Sequence, residues 1–167
     1  MLKNFLAILC IFVSHLAYGL NCSVTIEAND MMRYSSETMS INKKCKNVKV
    51  ILKNVGKLPK VAMGHNWVLS KTSDMQAVST EALKAGAAKE YTPEGSKVIA
   101  KTKLLGGGEQ DEVSFNVEKL NKDEQYTYFC TFPGHSSLMK GTFKFTETGE
   151  LHGKSNQKTN GDHSRKA

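Results

Sequence analysis

Three metal-binding side chains lie close together near the end of the chain. Cys130, His135 and Met139 follow one another at spacings of five and four residues, and a second imidazole, His65, lies far upstream in the segment Met-Gly-His-Asn-Trp. Two histidines and one cysteine in a trigonal plane, with a weak axial methionine, form the ligand set of blue-copper electron-transfer sites. These residue types and spacings therefore predict a copper site.

The donor set also suits a change of oxidation state. Thiolate and thioether sulfurs favour Cu(I), whereas imidazole nitrogens suit Cu(II), so a mixed set satisfies neither state fully. Taken singly, a cysteine at a strand end or a methionine near the last strand is most often a core residue. Their joint occurrence on one short loop, in which Pro133 and Gly134 supply the turn, favours metal binding instead.

The segments around these donors resemble the two copper-binding segments of the azurin family. Residues 63–70, which begin Met-Gly-His-Asn-Trp-Val, and residues 130–143, which begin Cys-Thr-Phe-Pro-Gly-His, carry the resemblance. It extends from about Asn21 to about Phe145. It implies an all-β, cupredoxin-like Greek-key sandwich or barrel with one short helical flap. It also implies one type 1 copper ion and the transfer of one electron between redox partner proteins.

The resemblance assigns a role to each residue near the metal. The expected ligands are His65, Cys130, His135, Met139 in the weak axial position, and the backbone carbonyl of Gly64. Asn66 is expected to tie the two segments together, the alternative being an ordinary loop cap. Asn66 and Phe132 are also expected to direct backbone N–H groups at the Cys130 sulfur, which draws charge off the sulfur and raises the reduction potential.

An apolar surface patch is implied where His135 reaches the surface at its edge. Its expected members are Met32, Leu58, Met63, Phe132, Pro133, Gly134 and Leu138. An exposed apolar patch rimmed by polar groups commonly marks a docking surface, and redox partners form small, weak interfaces. The resemblance suggests c-type cytochromes, nitrite reductase, cytochrome peroxidase or amine dehydrogenase as partners.

The two ends of the chain differ in composition from its middle. Residues 1–19 combine an early lysine, an apolar stretch over Phe5–Val13 and small residues at positions 17 and 19, which predicts a signal peptide for export to the periplasm. The apolar stretch is too short for a permanent membrane anchor. Residues 20–147 are the predicted domain, and residues 148–167 form a polar, basic tail that is expected to be disordered.

Cysteine usage agrees with an exported copper protein. Without residues 1–19, three cysteines remain, so two are expected to pair and one to stay free. With Cys130 assigned to the metal, Cys22 and Cys45 are the expected disulfide in an oxidising compartment, and the resemblance implies the same pair.

Short alternating segments separated by turn residues predict the strands of a sandwich. They are residues 23–27, 48–53, 67–70, 97–100, 113–117, 125–130 and 141–146, with weaker candidates at 31–34 and 38–41. One stretch differs: Ser73 and Gln76 have the spacing of a capping box. It predicts a helix up to Gly86 with Met75, Val78, Leu83 and Ala87 on one face.

Net charge bears on the partner. The formal net charge is +7, of which Lys3 leaves with residues 1–19, so 7 − 1 = +6 remains, and this favours an acidic partner face through electrostatic steering. Nucleic acid is not an expected partner, because an exported chain without an aromatic and basic surface motif has no reason to meet it. The expected form is a monomer without stable membrane insertion.

Three other functions fit the sequence less well. A copper oxidase or nitrite reductase requires a second metal centre with an open position, and beyond the two ligand histidines only His152 and His163 would remain in the mature chain. A copper-storage or delivery protein favours exposed Met-rich or Cys-rich sites. A structural zinc site would leave the axial methionine without a role. The prediction is therefore an electron carrier and not an enzyme.

Two positions depart from the family pattern. Asn54 stands where many azurins have a histidine whose titration is coupled to the copper site. Lys101 replaces a histidine that some relatives show on the surface, so no metal role is expected there. Without a histidine at position 54, we expect the reduction potential to depend only weakly on pH.

Overall fold

The structure is a computed structural model that describes residues 22–147, and in this range nine strands form two packed sheets. The first sheet has the order β2-β1-β4-β7 and consists of β1 (Ser23–Asn29), β2 (Arg33–Tyr34), β4 (Asn47–Asn54) and β7 (Gln110–Asn116). The second has the order β3-β9-β8-β5-β6 and consists of β3 (Thr38–Asn42), β5 (Val68–Lys71), β6 (Ala100–Lys101), β8 (Tyr126–Phe129) and β9 (Lys140–Thr146).

Helical segments lie between the strands. They are α1 (Lys60–Met63), α2 (Met75–Ala85) and 3₁₀ turns at Thr72–Asp74, Ala87–Lys89 and His135–Ser137. The predicted all-β sandwich with one helical insertion is thus confirmed. In the range 22–147, no helix is both long enough and apolar enough to cross a membrane.

The core lies between the sheets and follows from residue alternation along the strands. In β1, Val24, Ile26 and Ala28 point inward, whereas Thr25 and Glu27 are exposed, as the two-residue period of a half-buried strand requires. The inward residues of both sheets join one apolar cluster. At its centre are the two fully buried rings of Trp67 and Tyr128, stacked with centroids 6.1 Å apart.

The cysteines pair as predicted. Cys22 and Cys45 form a disulfide across 23 residues of sequence, and the free cysteine among the described residues is Cys130, which is buried. Closing a loop of this length stabilises the fold by about 3 kcal/mol in the chain-entropy model.

Two local predictions are wrong. Ser73 does not cap α2, because Thr72–Asp74 forms a 3₁₀ turn that runs directly into the helix, and Asp74 at the N-cap makes no side-chain hydrogen bond. The buried face of α2 consists of Val78, Ser79 and Ala82, whereas Leu83 is 54% exposed. Ala87, which was expected on the same face, lies past the end of α2 and is also exposed.

The sixth strand also differs from its prediction. It pairs with β5 only at Ala100 and Lys101, whereas the sequence predicted residues 97–100. Val98 donates its N–H to the Gly95 carbonyl at 3.2 Å in a turn, so the ladder starts later than the apolar pattern suggests.

Candidate metal centre

Two neighbouring antiparallel strands bring the predicted ligand segments to the same end of one sheet. Val68 at the start of β5 and Phe129 at the end of β8 are register partners. His65 lies just before β5, and Cys130 directly follows β8. Because antiparallel neighbours place the start of one strand beside the end of the other, two segments far apart in sequence meet in space.

The loop from Cys130 to Met139 is closed by its own backbone. The Cys130 N–H donates to the Met139 carbonyl at 3.0 Å, so the two ends of the loop are joined. Within it, the His135 N–H donates to the Phe132 carbonyl at 3.0 Å and the Met139 N–H to the His135 carbonyl at 2.7 Å. Gly134 has a φ of 81°, which glycine adopts without steric cost. These backbone bonds define the shape of the loop.

The His65 segment is equally constrained. His65 and Leu105 exchange two backbone hydrogen bonds of 3.0 and 2.8 Å in an antiparallel bridge. Gly64 is buried, and a Cβ at this position would lie 2.7 Å from the Lys60 carbonyl oxygen and 2.9 Å from the Leu104 side chain. Only glycine therefore fits before His65 without moving the neighbouring backbone.

Three donor side chains converge in the interior. The ligand atoms of His65, Cys130 and His135 lie within 4.8 Å of one another, and the exposed fractions of these residues are 0%, 0% and 3%. The Cys130 Sγ is 3.6 Å from Nδ1 of His135, and the two imidazole centroids are 5.0 Å apart. In the part of the chain covering residues 22–147, no other group of three or more His, Cys, Asp or Glu side chains meets in this way.

The cluster fits a bound metal ion. Neither ring nitrogen of the buried His65 makes a close hydrogen bond to another described residue, and a buried polar atom left unsatisfied is costly. A metal ion would satisfy one of the two nitrogens, and the Asn29 carbonyl also acts on the ring. Metal–nitrogen bonds of about 2.0 Å and metal–sulfur bonds of about 2.3 Å suit two donors separated as Sγ and Nδ1 are here. A thiolate with two imidazoles is a donor set that suits copper.

Burial disfavours charge on the uncoordinated side chains. It raises the pKa of the Cys130 thiol to about 11, although the backbone N–H groups of Asn66 and Phe132 oppose the shift. It lowers the pKa of His135 to about 4, with a further contribution from His65. The pKa of His65 is also lowered by burial, against the influence of the Asn29 carbonyl and Asp30. A bound cation would offset the cost of the buried thiolate.

The remaining predicted site residues surround this cluster. The Gly64 carbonyl oxygen is 3.9 Å from the Cys130 Sγ, and Met139 is fully buried. The Asn66 side chain joins the two segments: its Nδ2 donates to the Thr131 hydroxyl at 2.7 Å, and its Oδ1 accepts from the Thr131 N–H at 2.8 Å.

The predicted apolar patch is partly exposed. Leu58 and Leu138 are 41% and 64% exposed, Pro133 and Gly134 are exposed, and Met32, Met63 and Phe132 are half-buried. The Phe132 ring packs on the His135 imidazole with centroids 4.7 Å apart. His135 itself shows only 3% of its surface.

Three residues that adjoin the predicted site residues in sequence or contact them were not predicted. Val61 on α1 is 88% exposed and Met31 is 70% exposed, and they adjoin the patch segments in sequence. Two large apolar side chains beside predicted patch residues were a signal that could have found them. The Tyr34 hydroxyl donates to the Asn66 carbonyl at 2.5 Å, and nothing in the local sequence indicates this long-range contact.

Comparisons with known proteins agree with this geometry. The family described as copper binding proteins, plastocyanin/azurin family, matches residues 20–146. An azurin of Achromobacter denitrificans is 50% identical over 145 residues, 86% of this chain and 97% of that protein. An azurin of Pseudomonas aeruginosa PAO1 is 53% identical over 122 residues, 72% of this chain and 82% of that protein. The solved azurin Az-iso2 of Methylomonas sp. strain J has a TM-score of 0.71 and 45% identity, covering 75% of this chain and 98% of that one.

Proposed function

This chain belongs to the plastocyanin/azurin family of copper-binding proteins, and we propose from that premise that it carries single electrons between redox proteins in the periplasm. Its fold is cupredoxin-like and its cofactor is copper. The buried cluster of His65, Cys130 and His135 fits a single copper site, and this cluster is the observation that carries the proposal.

Within this site, His65, Cys130 and His135 would hold the copper ion, and Met139 and the Gly64 carbonyl oxygen would be additional, weaker donors. When bound, copper supplies a one-electron couple between Cu(I) and Cu(II). The protein supplies rigidity, because the Cys130–Met139 and His65–Leu105 backbone bonds fix both ligand segments. When the ligands move little between the two oxidation states, electron transfer is fast.

The protein also tunes the sulfur. The N–H groups of Asn66 and Phe132 act on the Cys130 sulfur and favour its anionic form. With copper bound, the same N–H groups would draw charge from the Cys130 sulfur and so raise the reduction potential.

Electrons enter and leave through the patch around His135. The Phe132 ring lies against the imidazole and Leu138 is largely exposed beside it, so an apolar partner face could approach the ligand closely. The partners are redox proteins such as c-type cytochromes, nitrite reductase, cytochrome peroxidase or amine dehydrogenase, with an acidic face that suits the positive net charge of the mature chain. The carrier is a monomer without catalytic activity of its own.

We assign residues 20–147 to the copper domain. Residues 1–19, assigned to a signal peptide that directs export, and residues 148–167, assigned to a polar tail, lie outside the described residues. The disulfide between Cys22 and Cys45 suits the oxidising periplasm.

The visible spectrum of the Cu(II)-loaded protein tests the site, with Cys130→Ser as the matched control. We expect an intense band at about 600 nm from the Cu–thiolate bond that bleaches on reduction with ascorbate and is absent from the serine variant. A weak, pale-blue spectrum would show that Cys130 does not bind copper and would favour a storage or structural-metal role.

Electron exchange tests the carrier role. The reduced protein should transfer one electron to an oxidised c-type cytochrome in stopped-flow mixing, and Leu138→Asp should slow this about tenfold by disrupting docking. Leu83→Asp, on the exposed face of α2, is the matched control and should exchange at the wild-type rate. Equal rates for the two variants would contradict docking at the patch.

A further inference from the structure

The helical insertion ends in a sharp turn at Glu90 and Tyr91, called here the corner. Both residues have left-handed backbone conformations, with φ of 53° and 49°, although neither is glycine or asparagine. Such conformations persist only where the surroundings hold them. Here the Glu90 N–H donates to the Ala87 carbonyl at 2.9 Å and the Tyr91 N–H to the Gly86 carbonyl at 3.0 Å.

The corner contacts the segment that carries Cys130 and His135. The Tyr91 carbonyl accepts a hydrogen bond of 2.7 Å from the Thr131 hydroxyl, which itself accepts from Asn66. The Tyr91 ring meets the Phe132 ring edge to face, with centroids 5.5 Å apart at 73°. Phe132 in turn packs on His135 at 4.7 Å. Tyr91 therefore reaches the imidazole through one intervening ring.

The same corner contacts the segment that carries His65. Glu90 forms an ion pair of 3.1 Å with Lys60, the first residue of α1. Gly64 follows the last residue of this helix, and the Lys60 carbonyl is the atom that crowds it. The two corner residues thus bridge both ligand segments from outside the sandwich.

We propose that Tyr91 is a positioning residue for His135, acting through the Phe132 ring and through its own carbonyl on Thr131. The insertion then restrains the metal-binding loop in addition to covering the apolar surface of Val68 and Phe129. This inference rests on the proposed function only for the assignment of His135 as a ligand.

Tyr91→Asn and Tyr91→Phe separate the ring from the backbone. Asparagine tolerates the left-handed conformation and keeps the carbonyl, but it removes the ring, whereas phenylalanine keeps both. In the metal-free Tyr91→Asn variant, the amide protons of His135 and Met139 should exchange about fivefold faster, which corresponds to the loss of one aromatic pair. Copper should also be released faster to a chelator. Tyr91→Phe should match wild type in both measurements.

A double variant distinguishes positioning from general destabilisation. If Tyr91 acts through Phe132, adding Tyr91→Asn to a Phe132→Leu variant should change amide hydrogen exchange in the loop much less than Tyr91→Asn alone does. Amides of β1 and β4 should be unaffected in all variants. Unchanged loop exchange in Tyr91→Asn, or an equal effect with and without the Phe132 ring, would overturn the proposal. The absorption band at about 600 nm is expected in Tyr91→Asn too. If the positioning role of Tyr91 is contradicted while this band is present, the proposed electron-carrier function is unaffected.

Discussion

Asn66 and Thr131 are joined by a pair of buried hydrogen bonds that uses both ends of the Asn66 amide. Nδ2 donates to the threonine hydroxyl at 2.7 Å, and Oδ1 accepts from the threonine N–H at 2.8 Å. The residues are 0% and 3% exposed and directly follow His65 and Cys130 in sequence. The link therefore joins the segment that carries His65 to the segment that carries Cys130.

Replacing Asn66 by leucine should destabilise the metal-free protein. The change leaves the buried Thr131 N–H without its acceptor, which costs about 2–3 kcal/mol of unfolding free energy. Urea unfolding of the metal-free protein measures this loss. Thr131→Ser keeps a hydroxyl and the N–H and should lose less than about 1 kcal/mol. A wild-type urea midpoint for Asn66→Leu would show that the pair contributes nothing.

Tyr34→Phe should lower the unfolding free energy and shift the reduction potential of the copper site. The Tyr34 hydroxyl donates to the Asn66 carbonyl at 2.5 Å, and its removal should lower the unfolding free energy by about 1–2 kcal/mol. Tyr128→Phe is the matched control, because it removes a hydroxyl that donates to the Ser36 carbonyl at 2.6 Å. Both should show similar urea midpoints, but only Tyr34→Phe should shift the reduction potential in voltammetry. A shift of the same size in Tyr128→Phe would show that Tyr34 has no particular effect on the site.

Much of the candidate site could be predicted because most of its donor residues lie close together in the sequence. Cys130, His135 and Met139 share one loop, and the residue types alone define a donor set. The disulfide also followed once Cys130 was assigned to the metal. The strands were predictable where a buried face alternates with an exposed one, as in β1.

The rest depends on contacts between residues distant in sequence. Ser73 has the sequence spacing of a helix cap, but it lies inside the 3₁₀ turn at Thr72–Asp74 and does not cap α2. Leu83 had the helical spacing of a core residue, yet the sandwich surface under α2 is covered by Val78 and Ala82. The left-handed conformation of Tyr91 has no signal in its residue type: its N–H donates to the Gly86 carbonyl, and its carbonyl and ring contact Thr131 and Phe132 of another segment.

Substitutions at Met139 should move the reduction potential in opposite directions. The amide oxygen of Met139→Gln is a harder donor than a thioether and stabilises Cu(II), so the potential should fall. Met139→Leu removes the donor and should raise it. We expect shifts of at least about 59 mV, which is a tenfold change in relative affinity for the two oxidation states. Met39→Leu, buried in the core at β3, is the control and should leave the potential unchanged. If both Met139 variants keep the wild-type potential, Met139 is not a ligand.

The potential of the wild-type protein should vary little between about pH 5 and pH 8. Asn54 is 2% exposed, and its Nδ2 donates at 3.2 Å to the carbonyl of Leu105, whose backbone is bonded to His65. This side chain cannot titrate, so no charge appears two hydrogen bonds from the ligand. Asn54→His would place a titratable group there. A proton on that histidine repels positive charge and stabilises Cu(I) relative to Cu(II), so the variant's potential should be higher below the histidine pKa and fall as pH rises. Voltammetry of both proteins across this range measures the difference, and a steep pH dependence in the wild type would contradict the role given to Asn54.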